Sequence, residues 1–297
     1  MKKFRKFFKY AALAVFFIIL ACAIWGFFIE PDLLFVNAYD LRVKNWNPAL
    51  NNFKIVAISD IHGGSNFIDE AKIRKIVEEA NAQDADIIVL LGDYVSQPLF
   101  SRAALKMPLD TVAENLKGLR ARYGVYAVLG NHDGWYSLKK VRAALEADGY
   151  RVLENEAVSI EKNGARLRLV GLPDSRARNV PDNGIQNARE GLQRLENKEG
   201  NVVVLTHNPD DLANVTEAAL VSPDFVLMLA GHTHGGQVQL PFVGALVTPT
   251  HLGRKYAAGH FRLKDIDVFV TTGVGTSILP VRFRVPPEIS VLNISAE

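Results

Sequence analysis

The chain has 297 residues, 48% of them hydrophobic and 22% charged, which is ample for a packed core and excludes global disorder. A formal net charge of only +2 argues against nucleic-acid binding by bulk charge. The single cysteine, Cys22, excludes an intrachain disulfide and any thiolate metal cluster.

The N-terminus opens with Lys2, Lys3, Arg5, Lys6 and Lys9 and no acid, and Ala11 to Ile29 then contains no charged residue. As a helix, this apolar run spans roughly 28 Å, close to the hydrocarbon thickness of a bilayer. Glu30, Pro31 and Asp32 end it. The expectation for residues 1–30 is a cytoplasmic basic stub and a single-pass transmembrane anchor, with the remainder extracytoplasmic by the positive-inside rule. A cleaved signal peptide competes, because Ala21-Cys22-Ala23 offers small residues. However, the apolar run continues to Ile29, which suits retention better. A helix lying flat on the membrane fits poorly, since the segment is apolar all round.

Residues 31–52, with Pro48 and several asparagines, are expected to form a connector, and 53–297 a single catalytic domain. Phe53 to Ser59 is predicted as a strand, followed by a helix over Phe67 to Ala82. A second strand runs from Asp86 to Leu91, a helix from Thr111 to Arg120, a third strand from Val125 to Leu129 and a helix from Ser137 to Ala147. Strands alternating with helices imply a largely parallel sheet. Short strands follow at Tyr150–Leu153, Ala157–Ile160 and Arg166–Val170, with the hairpin signal Asn163-Gly164 between the last two. Further buried strands are expected at Val202–Leu205, Phe225–Leu229, Val268–Thr272 and Ile289–Ile294. The fold class is therefore α/β, with two sheets packed face to face and helices outside.

Each predicted strand of the alternating region delivers a polar cluster. They are Asp60-Ile61-His62, Gly92-Asp93, Gly130-Asn131-His132-Asp133, Thr206-His207 and Gly231-His232-Thr233-His234-Gly235. In an extended chain, His232 and His234 point the same way, so their imidazoles can converge. The donors are oxygen and imidazole nitrogen, a set that suits Zn, Mn or Fe(II). Two carboxylates, an amide and four histidines exceed one tetrahedral ion, but they hold two if one carboxylate bridges. Two ions about 3.5–4 Å apart clamp a phosphoryl group and generate hydroxide from water. His132, left over beside Asn131, suits general-acid or charge-stabilising work. Any one of these residues alone is more readily read as a turn or a buried side chain. Their combination, in order, at the ends of apolar runs is what carries the chemistry.

On these motifs the chain resembles the calcineurin-like binuclear metallophosphoesterases, over roughly residues 53 to 297. The resemblance implies a four-layer, two-sheet α/β sandwich. It assigns one divalent metal ion to Asp60, His62, Asp93 and His234, and a second to Asp93, Asn131, His207 and His232. His132 corresponds to the non-ligand catalytic histidine. Pro280-x-Arg282-Phe283 and Pro286-Pro287-Glu288-Ile289 are similar to the membrane-associated bacterial branch with YaeI- and YkuE-like phosphodiesterases. That branch also includes enzymes that cleave UDP-2,3-diacylglucosamine in lipid A synthesis. Ser96 stands where purple acid phosphatases carry a metal-binding Tyr, and Tyr94 is expected to point elsewhere. Gly63-Gly64 replaces the family's commoner Leu-Gly.

The expectation is thus a metal-dependent hydrolase of phosphodiester or pyrophosphate bonds in a phosphorylated lipid or nucleotide-lipid. The competing readings are a broad phosphomonoesterase and a metal-bound scaffold without turnover. Arg176, Arg178, Arg282 and Arg284 are weaker candidates for phosphate contacts, each equally readable as a solvated loop charge. His251 and His260 are expected at the surface or in packing. Trp135 and Tyr136 are expected to line a groove or cover the core.

Overall fold

The computed structural model describes residues 2–98, 101, 104–174, 176–177, 199–212, 224–263 and 266–297. It begins with helix α1 (Lys2–Ile24), prolonged by a widened helical turn at Trp25–Ile29 and a 3-10 turn at Glu30–Asp32. This segment is long and apolar enough to cross a membrane, and its large apolar side chains are exposed along its length.

The body is two six-stranded sheets. The first has the order β1 (Phe35–Val43), β14 (Glu288–Ala296), β2 (Phe53–Ile58), β3 (Ile87–Leu91), β4 (Val125–Val128), β5 (Arg151–Val152). Strands β2 to β5 are parallel, and β14 runs antiparallel to β2. The second sheet has the order β12 (Gly259–Leu263), β13 (Ile266–Val270), β9 (Phe225–Ala230), β8 (Asn201–Leu205), β7 (Ala165–Gly171), β6 (Glu156–Lys162). Strands β7, β8, β9 and β13 are parallel, with antiparallel β6 and β12 at the edges.

The apolar pattern explains the layering. Every residue of β3, β8, β9 and β13 is buried, as expected for parallel strands covered on both faces. Ile55, Ile87, Val89 and Leu91 of the first sheet pack against Leu169, Leu205, Leu227 and Phe269 of the second. On the outer face of the first sheet lie α2 (Glu70–Asn81), α3 (Leu109–Leu116) and α5 (Leu138–Ala147). Helix α2 buries Ile73, Ile76, Val77 and Ala80 at helical spacing, and the Asp69 side chain caps it by accepting from Lys72 N at 2.8 Å. The outer face of the second sheet has its own cluster around Val204, Met228 and Val268.

The predicted elements of the α/β region are present with ends shifted by a few residues, and Asn163-Gly164 turns the β6–β7 hairpin with both φ positive. Residues 31–52 differ from the expected connector. They contain β1, which pairs in parallel with β14 over nine residues, Phe35↔Glu288 to Val43↔Ala296. Only Leu41 and Val43 of β1 are buried, so its alternation is too weak to identify an edge strand locally. Its partner lies some 250 residues away. Also unexpected were β12, the small hairpin β10 (Gln239–Leu240) and β11 (Gly244–Ala245), and the short helix α4 (Asn131–Tyr136).

Candidate metal centre

Strands β2, β3 and β4 of one sheet, and β8 and β9 of the other, end side by side, and the motif residues follow these carboxyl ends. Close packing there depends on small residues. A Cβ on Gly130 would lie 2.2 Å from Asp93 Oδ1, and one on Gly231 would lie 1.9 Å from Ser59 Oγ. Asp60, His62, Asp93, His232 and His234 all have positive φ, between 48° and 69°. His232 and His234 therefore do not project together from an extended chain. Thr233 is helical and His234 opens a 3-10 turn, so the two rings go to different halves of the centre.

One half holds Asp60, His62 and His234. Their atoms converge, with His62 Nε2 at 3.2 Å from His234 Nε2 and His234 Nε2 at 3.3 Å from Asp60 Oδ1. The other half holds Asp93, His207 and His232, with His232 Nδ1 at 3.0 Å from His207 Nε2. Asp93 Oδ2 lies between the halves, 3.6 Å from His62 Nε2 and 3.3 Å from His207 Nε2.

Each carboxylate is half committed to backbone. Asp93 Oδ1 accepts from His132 N at 2.8 Å, and Asp60 Oδ2 accepts from His232 N at 3.0 Å. Asp60 Oδ1 and Asn131 Oδ1 are buried with no hydrogen-bond partner. Buried oxygens of this kind are costly unless something cationic or donating meets them. Two buried carboxylates, an orphaned amide oxygen and imidazole nitrogens aimed at one another form a donor set that fits two divalent cations. Burial, together with neighbouring rings or Arg282, holds His62, His232 and His234 well below the ordinary imidazole value. They are thus neutral, the form that ligates. Burial also lowers His207, but Asp93 outweighs it and raises the ring well above the ordinary value. Burial opposes ionisation of Asp93, yet His207 and His132 hold it well below the usual carboxylate range. His207 Nδ1 donates to Leu91 O at 2.7 Å, which leaves Nε2 directed at the centre.

His132 lies beside both halves, its ring centroid 4.6 Å from that of His62. Gln97, which the sequence did not single out, fixes it. Gln97 Nε2 donates to His132 O at 2.8 Å, so its Oε1 takes the proton of His132 Nδ1 at 2.6 Å. His132 Nε2 then faces the mouth, where Ser277 Oγ approaches to 3.3 Å. Asp133 accepts from the backbone N of Asp93, Tyr94 and Gly130, tying the second and third clusters together. The Trp135 ring lies 4.2 Å from the His132 ring, tilted by 42°, and Tyr94 turns into the core to donate to Val128 O at 2.9 Å.

The four arginines separate. Arg282 is fully buried and is not a solvated loop charge. Its guanidinium donates to the carbonyls of Gly275 and Val285, reaches those of Thr272 and Gly273, and lies 3.3 Å from His234 Nδ1. Burial lowers its pKa to about 10. Arg176 sits at the rim, with Nη1 donating to His232 Nε2 and to Pro249 O, both at 2.7 Å. Arg284 is exposed, and Arg178 lies outside the described residues. His251 is exposed, and His260 pairs with Asp267 at 2.7 Å, away from the centre.

This arrangement agrees with the comparisons. The calcineurin-like phosphoesterase profile matches residues 53–236. The metallophosphoesterase YkuE of Bacillus subtilis is 30% identical over 274 residues, 91% of this chain and 88% of that one. Phosphodiesterase YaeI of Escherichia coli is 30% identical over 245 residues, 82% of each. A Danio rerio transmembrane protein with a metallophosphoesterase domain is 29% identical, and the match covers 84% of this chain and 55% of that protein. With the profile spanning more than half of its residues and two relatives 30% identical over 91% and 82% of it, the chain belongs to the calcineurin-like phosphoesterases and is a metallophosphoesterase.

Proposed function

We propose that the protein is a membrane-anchored, two-metal phosphodiesterase acting on a phosphodiester or pyrophosphate bond of a lipid-linked substrate. Asp60, His62, Asp93 and His234 hold one ion, and Asp93, Asn131, His207 and His232 hold the other. Mn, Zn or Fe(II) suits these donors. When bound, such a pair clamps phosphoryl oxygens and lowers the pKa of water. His132, held through Nδ1–H by Gln97, presents Nε2 to the leaving oxygen, and as an imidazolium gives its Nε2 proton to that oxygen, returning to the neutral ring. The observation that carries this reading is Asp93. One of its oxygens is fixed by the His132 amide, and the other lies between His62 and His207.

The membrane reading draws on the apolar length of α1 and on the relative named as a transmembrane protein. The basic N-terminus directs the domain to the extracytoplasmic side, which a topology reporter fused after Glu297 checks.

The test is hydrolysis of bis(4-nitrophenyl) phosphate by the full chain in detergent with Mn added. Wild type should turn over, Asp93→Asn should lose about 10²-fold or more, and His132→Ala about 10²–10⁴-fold. Faster hydrolysis of the monoester 4-nitrophenyl phosphate would favour the phosphomonoesterase reading. A metal-loaded wild type without turnover would favour the scaffold, and full activity after exhaustive chelation would overturn the proposal.

A further inference from the structure

The metal-centre loop Gly231–Gln237 runs directly into the β10–β11 hairpin, whose tip the phosphoester chemistry does not use. Phe242 at the tip is completely exposed, and Leu240, Val243 and Val247 around it are exposed as well. A second loop, which starts at Ser277 beside His132, presents Ile278 and Leu279 at 72% and 60% exposure. The two loops form one surface. Gln239 N donates to Phe283 O at 2.9 Å, Phe283 N to Gln237 O at 2.8 Å, and Gln237 Nε2 to Leu279 O at 3.2 Å. Single exposed apolar residues need no explanation, but this many on adjoining loops mark an interaction surface.

The same surface is bonded to the end of α1. Arg282 N donates to Gly26 O at 2.9 Å, and Val285 N donates to Glu30 Oε1 at 2.6 Å. Asn66 Nδ2 reaches both Phe27 O and Pro280 O at 3.1 Å. The backbones are so close at Gly26 that a Cβ there would lie 3.2 Å from Arg282 O. The loops also carry no carboxylate. No acid occurs from residue 235 to 263 or from 268 to 287, whereas Arg254, Lys255 and Arg284 do. Apolar tips on loops whose own charged residues are all basic suit the boundary between acyl chains and headgroups.

We infer that the Phe242 hairpin tip and the Ile278–Leu279 loop dip into the bilayer that α1 crosses, so that the metal centre opens onto the lipid surface. The substrate is then an amphiphilic phosphoester taken from the membrane plane. This rests on the membrane-anchored reading above and adds a second contact and an orientation to it.

Cys22 is the sole cysteine, so in a Cys22→Ser background single cysteines can be labelled specifically. An environment-sensitive fluorophore is placed at Phe242→Cys, at Ile278→Cys and, as control, at Glu161→Cys beside the distant β6–β7 turn. The full chain is reconstituted into phosphatidylcholine–phosphatidylglycerol vesicles with and without nitroxide lipid. The first two labels should be blue-shifted and quenched several-fold more than the control. A vesicle-bound chain whose labels at 242 and 278 match the control overturns the inference alone; a chain that does not partition into vesicles overturns the membrane reading as well. A blue shift without nitroxide quenching means that a second copy covers the loops, which also overturns it.

A kinetic arm compares hexadecyl 4-nitrophenyl phosphate in vesicles with its soluble ethyl analogue. Wild type should prefer the hexadecyl ester, and Phe242→Asp/Ile278→Asp should lose that preference by about tenfold or more while cleaving the ethyl ester unchanged. Equal wild-type rates on the two esters would overturn membrane-plane capture. Turnover of neither ester would overturn the phosphoesterase reading, while the labels still decide the docking.

Discussion

Gln97 and Arg282 each contact a histidine ring at the centre, and neither is a ligand candidate. Gln97 occupies both the ring and the carbonyl of His132, so it fixes which imidazole nitrogen carries the proton. Arg282 satisfies a ring of buried carbonyls and touches His234. In the proposed proton-transfer role of His132, worth about 10²–10⁴-fold, a misoriented ring forfeits part of that gain. Gln97→Leu keeps the volume but removes the acceptor, so kcat should fall by about tenfold or more with KM and bound metal unchanged. Steady-state kinetics with metal analysis checks this, and an unchanged kcat would remove Gln97 from any positioning role. The five motif residues at positive φ show why the site is locally demanding. A left-handed conformation costs an L-residue about 1–2 kcal/mol, and such strain persists where surrounding bonds over-determine it.

Strand β14 joins the N-terminal region to the catalytic body. It pairs with β1 on one side and β2 on the other, so the last ten residues hold the residues next to α1 against the strand that carries Asp60. Ile289, Leu292 and Ile294 are buried without exposure. Truncation after Pro287 removes two ladders and leaves β2 with one unpaired edge. The truncated chain should therefore fail to give a cooperative unfolding transition, as followed by circular dichroism. A folded truncation product would show that β1 and β14 form a dispensable flap. The end of α1 is clamped comparably, because the buried Glu30 carboxylate takes both Trp25 Nε1 at 2.6 Å and Val285 N.

The metal centre is where the two sheets meet. Asp60, His62, Asp93 and Asn131 come from the first sheet, and His207, His232 and His234 from the second. Cations held there would tie the sheets together and favour the folded state. A ligand at 100 times its Kd adds about 2.7 kcal/mol, so Mn loading should raise the Tm by several degrees and chelation should reverse it. Asp93→Asn, which removes the shared carboxylate, should abolish most of that increment while folding normally without metal. Differential scanning calorimetry of the two proteins decides, and an equal shift in both would exclude Asp93 from metal binding.

The alternating strands and helices of the first sheet, the Asn163-Gly164 hairpin and the clustering of polar residues at strand ends were all legible from the residues alone. They are local signals: apolar runs buried on both faces, helical spacing, and turn chemistry within a few positions. The tertiary structure alone decided that 31–52 supplies an edge strand, that Gln97 holds His132, that Arg282 is buried against His234, and that the apolar loops adjoin the end of α1. Each of these depends on a partner tens to hundreds of residues away, and no local pattern encodes a contact whose other half is set by how two sheets pack.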